Sequence, residues 1–378
     1  MYRLFREKVE NMIKILYITS RSDIGGGPKH LYDLVRYISK NFKQEFEVHI
    51  AAPIERPFWE KYETICTNLI AIPKRKFSIL SYFNLLSYCK NQNIKLIHSH
   101  GRGAGVYSRL LKLFGLNIVH TFHGVHTEKG IIAYIKILMD KFLKLLTDRF
   151  ISVSLDEQFK AIHLNIASME DIQTINNGID SNKVLNYINT QNKTISKKVE
   201  FCTLARFDYA KGLDILIGHI LKLPSDILAK VHFTIAGLGN ETNRFQSRLN
   251  SQKLKDSVTL IPETNNPLQL LYNSDVYLSS SRYEGLPLSV LEAMACNKPC
   301  LLSDVIGHNS FKKNNTALFF KLSNHEAFKD GIVYFTSSEN RIKYGTRSIE
   351  LVQQYFSIKQ MAEDTVQLYR DMVKLSQH

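Results

Sequence analysis

The sequence predicts an α/β protein built from two doubly wound units in tandem. Short apolar runs that are typical of buried strands alternate with amphipathic helical segments along nearly the whole chain. The 378 residues are enough for two domains of ordinary size. A stretch rich in Asn, Thr, Ser and Lys, residues 181–198, interrupts the alternation near the middle. We therefore expect the domain boundary there.

The first half carries six predicted strands and four predicted helices, because β-branched and aliphatic runs alternate with helical periodicity. The predicted strands are Ile13–Thr19, Glu47–Ala51, Asn68–Ile72, Ile94–His98, Asn117–Thr121 and Phe150–Val153. The predicted helices are His30–Asn41, Ile79–Asn91, Ala104–Phe114 and Ile131–Leu146. Residues 1–11 are polar and show no strand pattern, so they are either a frayed helix or an extension ahead of the first domain.

The second half repeats the alternation and ends in a long amphipathic helix. Its predicted strands are Val199–Leu204, Val231–Ala236, Val258–Ile261, Asp275–Leu278 and Pro299–Leu302, and the terminal helix covers Ser357–Leu375. Doubly wound sheets bind their ligands at the carboxyl ends of the strands. Loops that follow these strands are therefore the places to search for functional residues.

The cysteines and the hydropathy favour a cytoplasmic protein. The five cysteines, Cys66, Cys89, Cys202, Cys296 and Cys300, are scattered and form no Cys-x-x-Cys pair, which argues against disulfides and against a thiolate zinc site. The first apolar run, Ile13–Ile18, is too short for a signal peptide. No apolar run is long enough to span a membrane.

The positive charge is concentrated in one window. The net charge is +14, and Thr64–Thr127 contains no Asp or Glu. This predicts an anionic partner, either an acidic membrane surface or a phosphorylated lipid, with a plain solvated face as the alternative. Nucleic acid is not expected, because no helix-turn-helix, RRM or KH pattern accompanies the charge. The predicted membrane contact is Lys74, Arg75 and Lys76.

A second apolar and basic segment, Lys129–Phe150, allows two interpretations. It could lie on an anionic bilayer, because Lys136, Lys141 and Lys144 interrupt its apolar residues. It could equally be an ordinary helix that covers the sheet, which is the interpretation we favour from the sequence.

The stretch with the most chemical information is residues 281–295. An apolar run ends there in a turn that contains Glu284, Gly285 and Pro287, and a helical pattern begins near Leu288. A strand, a tight turn and a helix N-terminus form an anion site, because backbone N–H groups point out of the helix end. Glu284 and Glu292 could then accept hydrogen bonds from the hydroxyls of a sugar or a ribose. The alternative is a capped surface helix with two solvated acids.

Three further stretches carry candidate groups at predicted strand ends. Gly25, Gly26 and Gly27 form a loop that is neither a Rossmann Gly-x-Gly-x-x-Gly nor a Walker loop, but it can approach a ligand closely. Arg206 and Lys211 lie on one loop and suit a diphosphate, unless they are two surface cations. Gly237 and Gly239 form another strand-to-helix turn.

Five histidines follow two neighbouring strands: His98, His100, His120, His123 and His126. A zinc site is disfavoured, since no carboxylate or thiolate lies nearby in the sequence. We expect His98 and His120 to be packed beneath the loops through hydrogen bonds.

The segment YEGLPLSVLEAMACNKP, with Glu284 and Glu292 at Glu-x7-Glu spacing, closely resembles the signature of retaining, nucleotide-sugar-dependent glycosyltransferases of family 4. The other stretches agree in order and spacing over nearly the whole chain. The resemblance implies the GT-B fold, with two Rossmann-like domains facing a central cleft and a C-terminal helix that crosses back to the N-domain. We therefore expect an acceptor-binding domain at 12–190 that includes helix 357–378, and a nucleotide-sugar-binding domain at 198–356.

The resemblance also implies roles for individual residues. Arg206 and Lys211 match the R-x4-KG segment and would hold the diphosphate, Glu292 the ribose and Glu284 the donor sugar, while His123 would face the reacting sugar. Further donor contacts are implied for Gly26, Gly27, Gly237, Gly239, Pro262, Gly285, Leu286 and Pro287. Acceptor contacts are implied for Gly25, His100 and Arg102.

Three departures from the family pattern limit what the resemblance implies. Pro262 and Asn297 stand where the family often has glycine, and Ser303–Asn309 replaces an acceptor-side Gly-Gly motif. The nucleobase and the sugar therefore stay unassigned, although a UDP- or GDP-linked sugar is the expected donor.

The expected function is transfer of a sugar from a nucleotide-diphosphate sugar to a hydroxyl, with retention, in surface polysaccharide or glycolipid synthesis. The acceptor would be a glycan or a lipid-linked glycan at the inner leaflet, and the enzyme cytoplasmic or peripheral. No metal is expected, because no Asp-x-Asp lies in a suitable loop. The alternatives are a GT-B epimerase or phosphorylase, and a non-enzymatic basic scaffold that binds anionic lipid or RNA.

Overall fold

The computed structural model describes residues 12–125, 130–193, 196–239, 242–251, 254, 256–262, 264 and 266–375. Residues 1–11, His126 and the start of the apolar and basic segment at Lys129 lie outside the described residues. The chain divides into two compact units. Unit 1 ends at Asn177 and also includes the helix that starts at Ile358, and unit 2 is Gly178–Ser357.

Unit 1 contains a seven-stranded parallel sheet. Its strands are β1 (Ile13–Thr19), β2 (Phe46–Ala52), β3 (Leu69–Ala71), β4 (Leu96–His100), β5 (Asn117–Thr121), β6 (Arg149–Ser152) and β7 (Ile172–Thr174). Its helices are α1 (Gly26–Asn41), α2 (Phe58–Glu63), α3 (Ile79–Asn91), α4 (Arg102–Leu111), α5 (Ile131–Lys144), α6 (Leu155–His163) and, later in the chain, the terminal helix.

The strand order β3-β2-β1-β4-β5-β6-β7 distributes the helices between two faces. Crossovers between parallel strands are right-handed, so α1 and α2 cover one face while α3 to α6 cover the other. Successive residues of β1 point to opposite faces. Accordingly, Ile15 belongs to the hydrophobic core on one face of the sheet, together with Leu34 of α1. Leu16 belongs to the core on the other face, together with Leu85 of α3.

Unit 2 contains a six-stranded parallel sheet in the order β10-β9-β8-β11-β12-β13. Its strands are β8 (Val199–Leu204), β9 (Val231–Ala236), β10 (Val258–Ile261), β11 (Val276–Ser279), β12 (Cys300–Ser303) and β13 (Ala317–Phe320). Its helices are α7 (Ser181–Asn189), α8 (Leu213–Leu221), α9 (Ser225–Leu228), α10 (Thr242–Ser251), α11 (Pro267–Asn273), α12 (Leu288–Ala295), α13 (His325–Tyr334) and α14 (Ser338–Tyr355).

Residues 181–198, the predicted boundary, begin with a helix that belongs to unit 2, and the two units divide slightly earlier, between Asn177 and Gly178. Asp180 caps α7 by accepting from the backbone N–H of Lys183 at 3.1 Å. The Tyr187 hydroxyl donates to Gln269 Oε1 at 2.8 Å, which ties α7 to α11. The polar residues of this segment are largely the solvent-facing residues of a helix, and they do not indicate a linker.

The sequence analysis missed β7 and β13, which form one edge of each sheet. They contain three and four residues, and part of each is exposed to solvent. β7 has a single apolar residue, and β13 is an apolar run of only four residues, too short to be told from a buried helical segment by its pattern.

The basic window of the sequence is largely neutralised by the fold. Lys74 Nζ lies 2.6 Å from Glu55, and Arg75 lies 3.6 Å from Asp23. Arg102, Arg109 and Lys112 likewise pair with acids from outside the window, namely Asp140 and Asp148. The Lys74–Lys76 cluster is therefore a weaker membrane contact than the sequence suggested.

The terminal helix, α15 (Ile358–Leu375), packs on the same face of unit 1 as α1. Tyr369 is fully buried there. Its hydroxyl lies 2.5 Å from His98 Nδ1 and 3.2 Å from the Tyr17 hydroxyl. The helix thus contacts β1 and β4 at the centre of the sheet.

We expect Tyr369→Ala to destabilise unit 1 by about 3–5 kcal/mol, since it leaves a cavity and removes the partner of His98. The only tryptophan, Trp59, packs against the same core, so its fluorescence during urea unfolding reports unit 1. The matched control is Gln367→Ala, an exposed change on the same helix that should cost less than about 0.5 kcal/mol. Equal losses in the two variants would show that α15 does not support unit 1.

Candidate active site

Each sheet contains two neighbouring strands after which the chain continues toward opposite edges of the sheet. These strands are β1 and β4 in unit 1, and β8 and β11 in unit 2. At such a switch point the loops after the two strands separate and leave a crevice at the carboxyl edge, where α/β proteins bind ligands. Most of the predicted site residues follow these four strands or the adjacent β5 and β9.

In unit 2, the loops after β8 and β11 meet through an ion pair. Lys211 Nζ donates to Glu284 Oε1 at 2.5 Å, and the Ser281 hydroxyl donates to the same oxygen at 2.6 Å. The two charged side chains are 19% and 11% exposed, so solvent screens the pair weakly. The structure therefore joins two residues that were expected to hold different parts of the donor, the diphosphate and the sugar.

The Glu284 carboxyl is ionised throughout the neutral range. Burial by itself would raise its pKa, but the charge of Lys211 and the hydrogen bonds from Lys211 and Ser281 outweigh burial and lower the pKa below its ordinary value. An ammonium carries three N–H donors, and Glu284 uses one. Lys211 can thus hold Glu284 and still donate to a phosphate oxygen.

Close backbone packing fixes the shape of this loop region. A Cβ on Gly212 would lie 2.2 Å from the Ser280 carbonyl oxygen, and one on Gly239 would lie 2.2 Å from that of Phe207. Gly237 has φ +151° and would meet the Ala205 oxygen at 1.8 Å. Only glycine fits at these positions, so the loops after β8, β9 and β11 can be in direct contact.

The other predicted donor residues of unit 2 lie at the same edge. Arg206 follows β8 and pairs with Asp208 at 3.0 Å. Gly285, Leu286 and Pro287 form the turn that leads into α12, whose N-terminus has no side-chain cap. Glu292 lies on α12, and Pro262 is exposed directly after β10.

Asn297 keeps the backbone geometry of the glycine that it replaces. Its φ is +59°, which lies in the left-handed region that glycine favours and asparagine tolerates. This departure from the family pattern therefore leaves the turn after α12 in place.

Sequence reasoning assigned no role to His308, which lies in the segment that replaces the Gly-Gly motif. Its ring is fully buried, and Nδ1 donates to the Ser303 carbonyl oxygen at 2.7 Å. Nε2 is therefore the unprotonated nitrogen, and it is buried with no hydrogen-bond partner among the described residues. The adjacent Gly307 packs against the backbone of Glu284, so His308 presents an unused acceptor beside the ion pair. A lone histidine in a loop carries no periodic or spacing signal.

In unit 1, the glycine loop after β1 opens α1. The helix starts at Gly26 with Gly25 at its N-cap, and no side chain caps it. The first N–H groups of a helix have no intrahelical partner and attract anions. A Cβ on Gly27 would lie 3.8 Å from the His123 ring, so the predicted glycine loop and the predicted catalytic histidine are neighbours.

His100 and His123 form a cluster with His30, which the sequence analysis did not select. His100 Nδ1 and His123 Nε2 are 3.2 Å apart, and the His30 and His123 rings are 4.7 Å apart. His30 Nδ1 donates to Asn177 Oδ1 at 2.8 Å, which leaves Nε2 as an acceptor. His30 lies in a helix far from the other histidines in sequence, so only the fold could bring it here.

His30, His98, His100, His120 and His123 are neutral at physiological pH. Burial lowers the pKa of His30 to about 4 and those of His98, His100, His120 and His123 well below the ordinary value of 6.5. Their rings therefore act as hydrogen-bond donors and acceptors without charge.

The same three histidines offer a set of metal-ligating atoms. Nitrogens of His30, His100 and His123 all lie within 4.8 Å of one another, and His100 Nε2 is buried without a partner among the described residues. However, no carboxylate or thiolate of the described residues joins this group, and the charge of Arg21 acts on His123. The absence of a metal requirement stays a prediction.

Two further predictions concern individual side chains. His98 and His120 are buried and hydrogen-bonded, to Thr121 and Tyr369 and to Ser99, so their role in packing beneath the loops is confirmed. Arg102, an expected acceptor contact, is held by Asp140 at 2.8 Å.

Comparison with known proteins links this geometry to one enzyme class. Residues 24–183 match the family model described as Glycosyltransferase Family 4, and residues 188–349 match Glycosyl transferases group 1. An O-antigen biosynthesis glycosyltransferase, WbnH of Escherichia coli, is 29% identical over 78% of this chain and 82% of its own length.

Two other similar proteins carry informative names. The Escherichia coli UDP-Gal:alpha-D-GlcNAc-diphosphoundecaprenol alpha-1,3-galactosyltransferase is 25% identical over 82% of this chain and 83% of its own length. The crystal structure of Anabaena Alr3699/HepE with UDP and glucose matches with a TM-score of 0.78 at 15% identity, covering 95% of this chain and all of that chain. The structural likeness shows that the predicted GT-B fold is correct.

Because these histidines are neutral in the folded protein, we expect the free energy of unfolding of unit 1 to fall in mild acid. Between pH 6.5 and their lowered pKa values, an imidazole is protonated in the unfolded chain but not in the folded one, so stability rises with pH. His30→Gln should therefore flatten the pH dependence by up to about 1.4 kcal/mol per pH unit below about pH 6.5. Urea unfolding of the wild type and the variant, followed by Trp59 fluorescence across this range, measures the slopes.

The control for this experiment is His163→Gln, because His163 is exposed at the end of α6. It should leave the slope unchanged. If His30→Gln also leaves the slope unchanged, His30 is not held neutral by the fold.

Proposed function

The chain belongs to glycosyltransferase family 4, and on that premise we propose that it transfers a sugar with retention from a nucleotide-diphosphate sugar to a hydroxyl of a glycan or lipid-linked acceptor. That the protein is a glycosyltransferase follows from its family. The donor, the stereochemistry and the acceptor are the proposal. The observation that supports it best is the shielded Lys211–Glu284 pair on the two switch-point loops of unit 2.

The proposed donor is a UDP-sugar. Arg206 and Lys211 would bind the diphosphate, and Gly237 and Gly239 would let the backbone approach it. Glu292 would accept from the ribose hydroxyls, and Glu284 from a hydroxyl of the sugar. The name of the similar Escherichia coli galactosyltransferase and the UDP complex of Anabaena HepE support UDP as the nucleotide.

The proposed reaction takes place on one face of the sugar. The bond between the anomeric carbon and the phosphate oxygen breaks, and its electron pair leaves with the nucleoside diphosphate. The acceptor oxygen forms a bond to the anomeric carbon from the same face, and its proton passes to the departing phosphate oxygen. Arg206 and Lys211 would stabilise the charge that grows on the diphosphate, and neutral His123 would donate to the sugar or the departing phosphate.

The proposed acceptor is a growing surface glycan, carried on a lipid diphosphate at the inner face of the membrane. The names of WbnH and of the diphosphoundecaprenol galactosyltransferase support this assignment. The enzyme would then work in the cytoplasm at a membrane surface. No observation favours an epimerase, a phosphorylase or a non-enzymatic scaffold.

Replacing a residue that is proposed to bind the diphosphate or the ribose should strongly slow the reaction without unfolding the protein. We expect Arg206→Ala and Glu292→Ala to lower donor-dependent release of nucleoside diphosphate by about 100-fold or more, because each removes a charge-assisted contact to the donor. Release of UDP and GDP from a panel of sugar donors measures this. The control is Lys321→Ala, an exposed cation elsewhere in unit 2. Wild-type release by both active-site variants would refute the site assignment.

The reaction should not need a metal. We expect exhaustive treatment with EDTA to leave nucleotide release unchanged, because cationic side chains and backbone N–H groups are proposed to balance the diphosphate charge. Activity that is lost with EDTA and restored by Zn²⁺, but not by Mg²⁺, would instead assign a metal to His30, His100 and His123.

A further inference from the structure

Helix α5 presents an unusually apolar surface to solvent. Eight of the large apolar side chains in and directly after it are 37–77% exposed: Ile131, Ile132, Tyr134, Ile135, Leu138, Met139, Phe142 and Leu145. The helix covers the sheet, as the sequence favoured, but covering the sheet does not account for these exposed side chains. Ala133 and Leu143 do face the unit, but most of the apolar residues do not. Contiguous exposed apolar surface of this kind marks an interaction site.

These side chains share one face of the helix. At 3.6 residues per turn they spread over about 160° of its circumference. The buried residues Ala133 and Asp140 point the opposite way. Lys141 and Lys136 lie at the two borders of the apolar arc, as in helices that rest at a membrane interface with their lysines reaching toward the headgroups.

The charge on α5 has a single sign wherever it reaches solvent. Asp140 is the only acid between residues 131 and 144, and it is buried against Arg102 and Arg109. Lys141 is exposed, and Lys136 and Lys144 are partly so. An anionic surface would match this pattern, whereas a neutral or basic one would not.

A second apolar group lies on the same side of the sheet. Phe77, Ile79, Leu80 and Phe83 at the start of α3 are 45–70% exposed. By the right-handed crossover rule α3 and α5 cover the same face. Helix α4 lies between them in contact with both, because the Tyr82 hydroxyl of α3 donates to the Leu110 carbonyl oxygen at 3.2 Å and Arg109 pairs with Asp140 of α5.

We propose that the exposed face of α5, assisted by the start of α3, rests on an anionic lipid bilayer. No described helix is long and apolar enough to cross a membrane, so the contact would be interfacial. The biological role of this contact, which is to bring the enzyme to a lipid-linked acceptor, rests on the proposed function. The contact itself does not. Binding itself can be measured without any substrate.

The bilayer fits better than a second copy of the chain. Two copies meeting through this face would bring the lysine borders of both helices together with no exposed acid on α5 to balance them. Phosphatidylglycerol headgroups supply the negative charge, and the acyl boundary accommodates apolar side chains.

The test is co-sedimentation of the full chain with vesicles of phosphatidylcholine alone or mixed with phosphatidylglycerol. We expect binding only to the mixed vesicles, weakened by added salt. The triple variant Ile132→Gln, Ile135→Gln and Phe142→Gln should bind at least about tenfold more weakly, because it removes three large side chains from the interface while keeping helix-forming residues. Lys136→Gln with Lys141→Gln and Lys144→Gln should weaken binding and remove its dependence on salt.

Control variants distinguish a lost membrane contact from misfolding and from loss of the active site. Val333→Gln with Ile342→Gln removes apolar side chains of comparable exposure, 46% and 69%, from unit 2 and should bind vesicles normally. Trp59 fluorescence in urea should show that the α5 variants fold like the wild type. Nucleotide release with a soluble acceptor should also stay unchanged in them, so that failure of membrane binding is distinct from failure of the proposed reaction.

Three outcomes would overturn the proposal. One is absence of binding to mixed vesicles, and another is equal binding by the wild type and the α5 triple variant. The third is a dimer of the wild type, seen by sedimentation velocity, that the α5 variant dissolves while neither protein binds vesicles. That result would assign the face to a second copy of the chain.

Discussion

The candidate donor site depends on one contact, the ion pair between Lys211 and Glu284. It forms because β8 and β11 are adjacent in the sheet although they are far apart in sequence. Gly212 lets the two loops touch at the Ser280 backbone. Losing one member of such a shielded pair costs about 3–5 kcal/mol, because the other charge is left uncompensated. The contact thus fixes the loop geometry before any donor arrives and keeps an ammonium where a diphosphate is expected.

Charge along this sequence is a poor guide to charge on its surface. The acid-free window from Thr64 to Thr127 suggested an anionic partner, yet the fold brings Asp23, Glu55 and Asp140 to its cations. By contrast, α5 contains an acid and looked ordinary, but that acid is buried and the solvent meets only lysines and apolar side chains. The composition of a segment includes all of its charged residues. A binding partner interacts only with the charges that are exposed and unpaired in the folded protein.

The sequence predicted the fold class, the longer strands and the elements that carry the site, because apolar periodicity and glycine turns are local signals. It placed Gly27 and His123 on separate loops and could not predict that they are neighbours. It missed His30 and His308, whose relevance comes only from burial and from contacts made across the fold. It also misassigned α7 as a linker, since an exposed polar helix and a polar loop have similar composition.

The exposed face of α5 and the histidine cluster occupy the same end of unit 1. In a parallel sheet, a helix that follows a strand starts at the carboxyl edge of that strand, and both α3 and α5 do so. Their most exposed apolar side chains include Ile79 and Leu80 in the first turn of α3 and Ile131 and Ile132 in that of α5, each 66–70% exposed. His123 follows β5 at that edge as well. An interfacial contact through these first turns would therefore hold the carboxyl edge of unit 1, which carries the histidine cluster, near the headgroups.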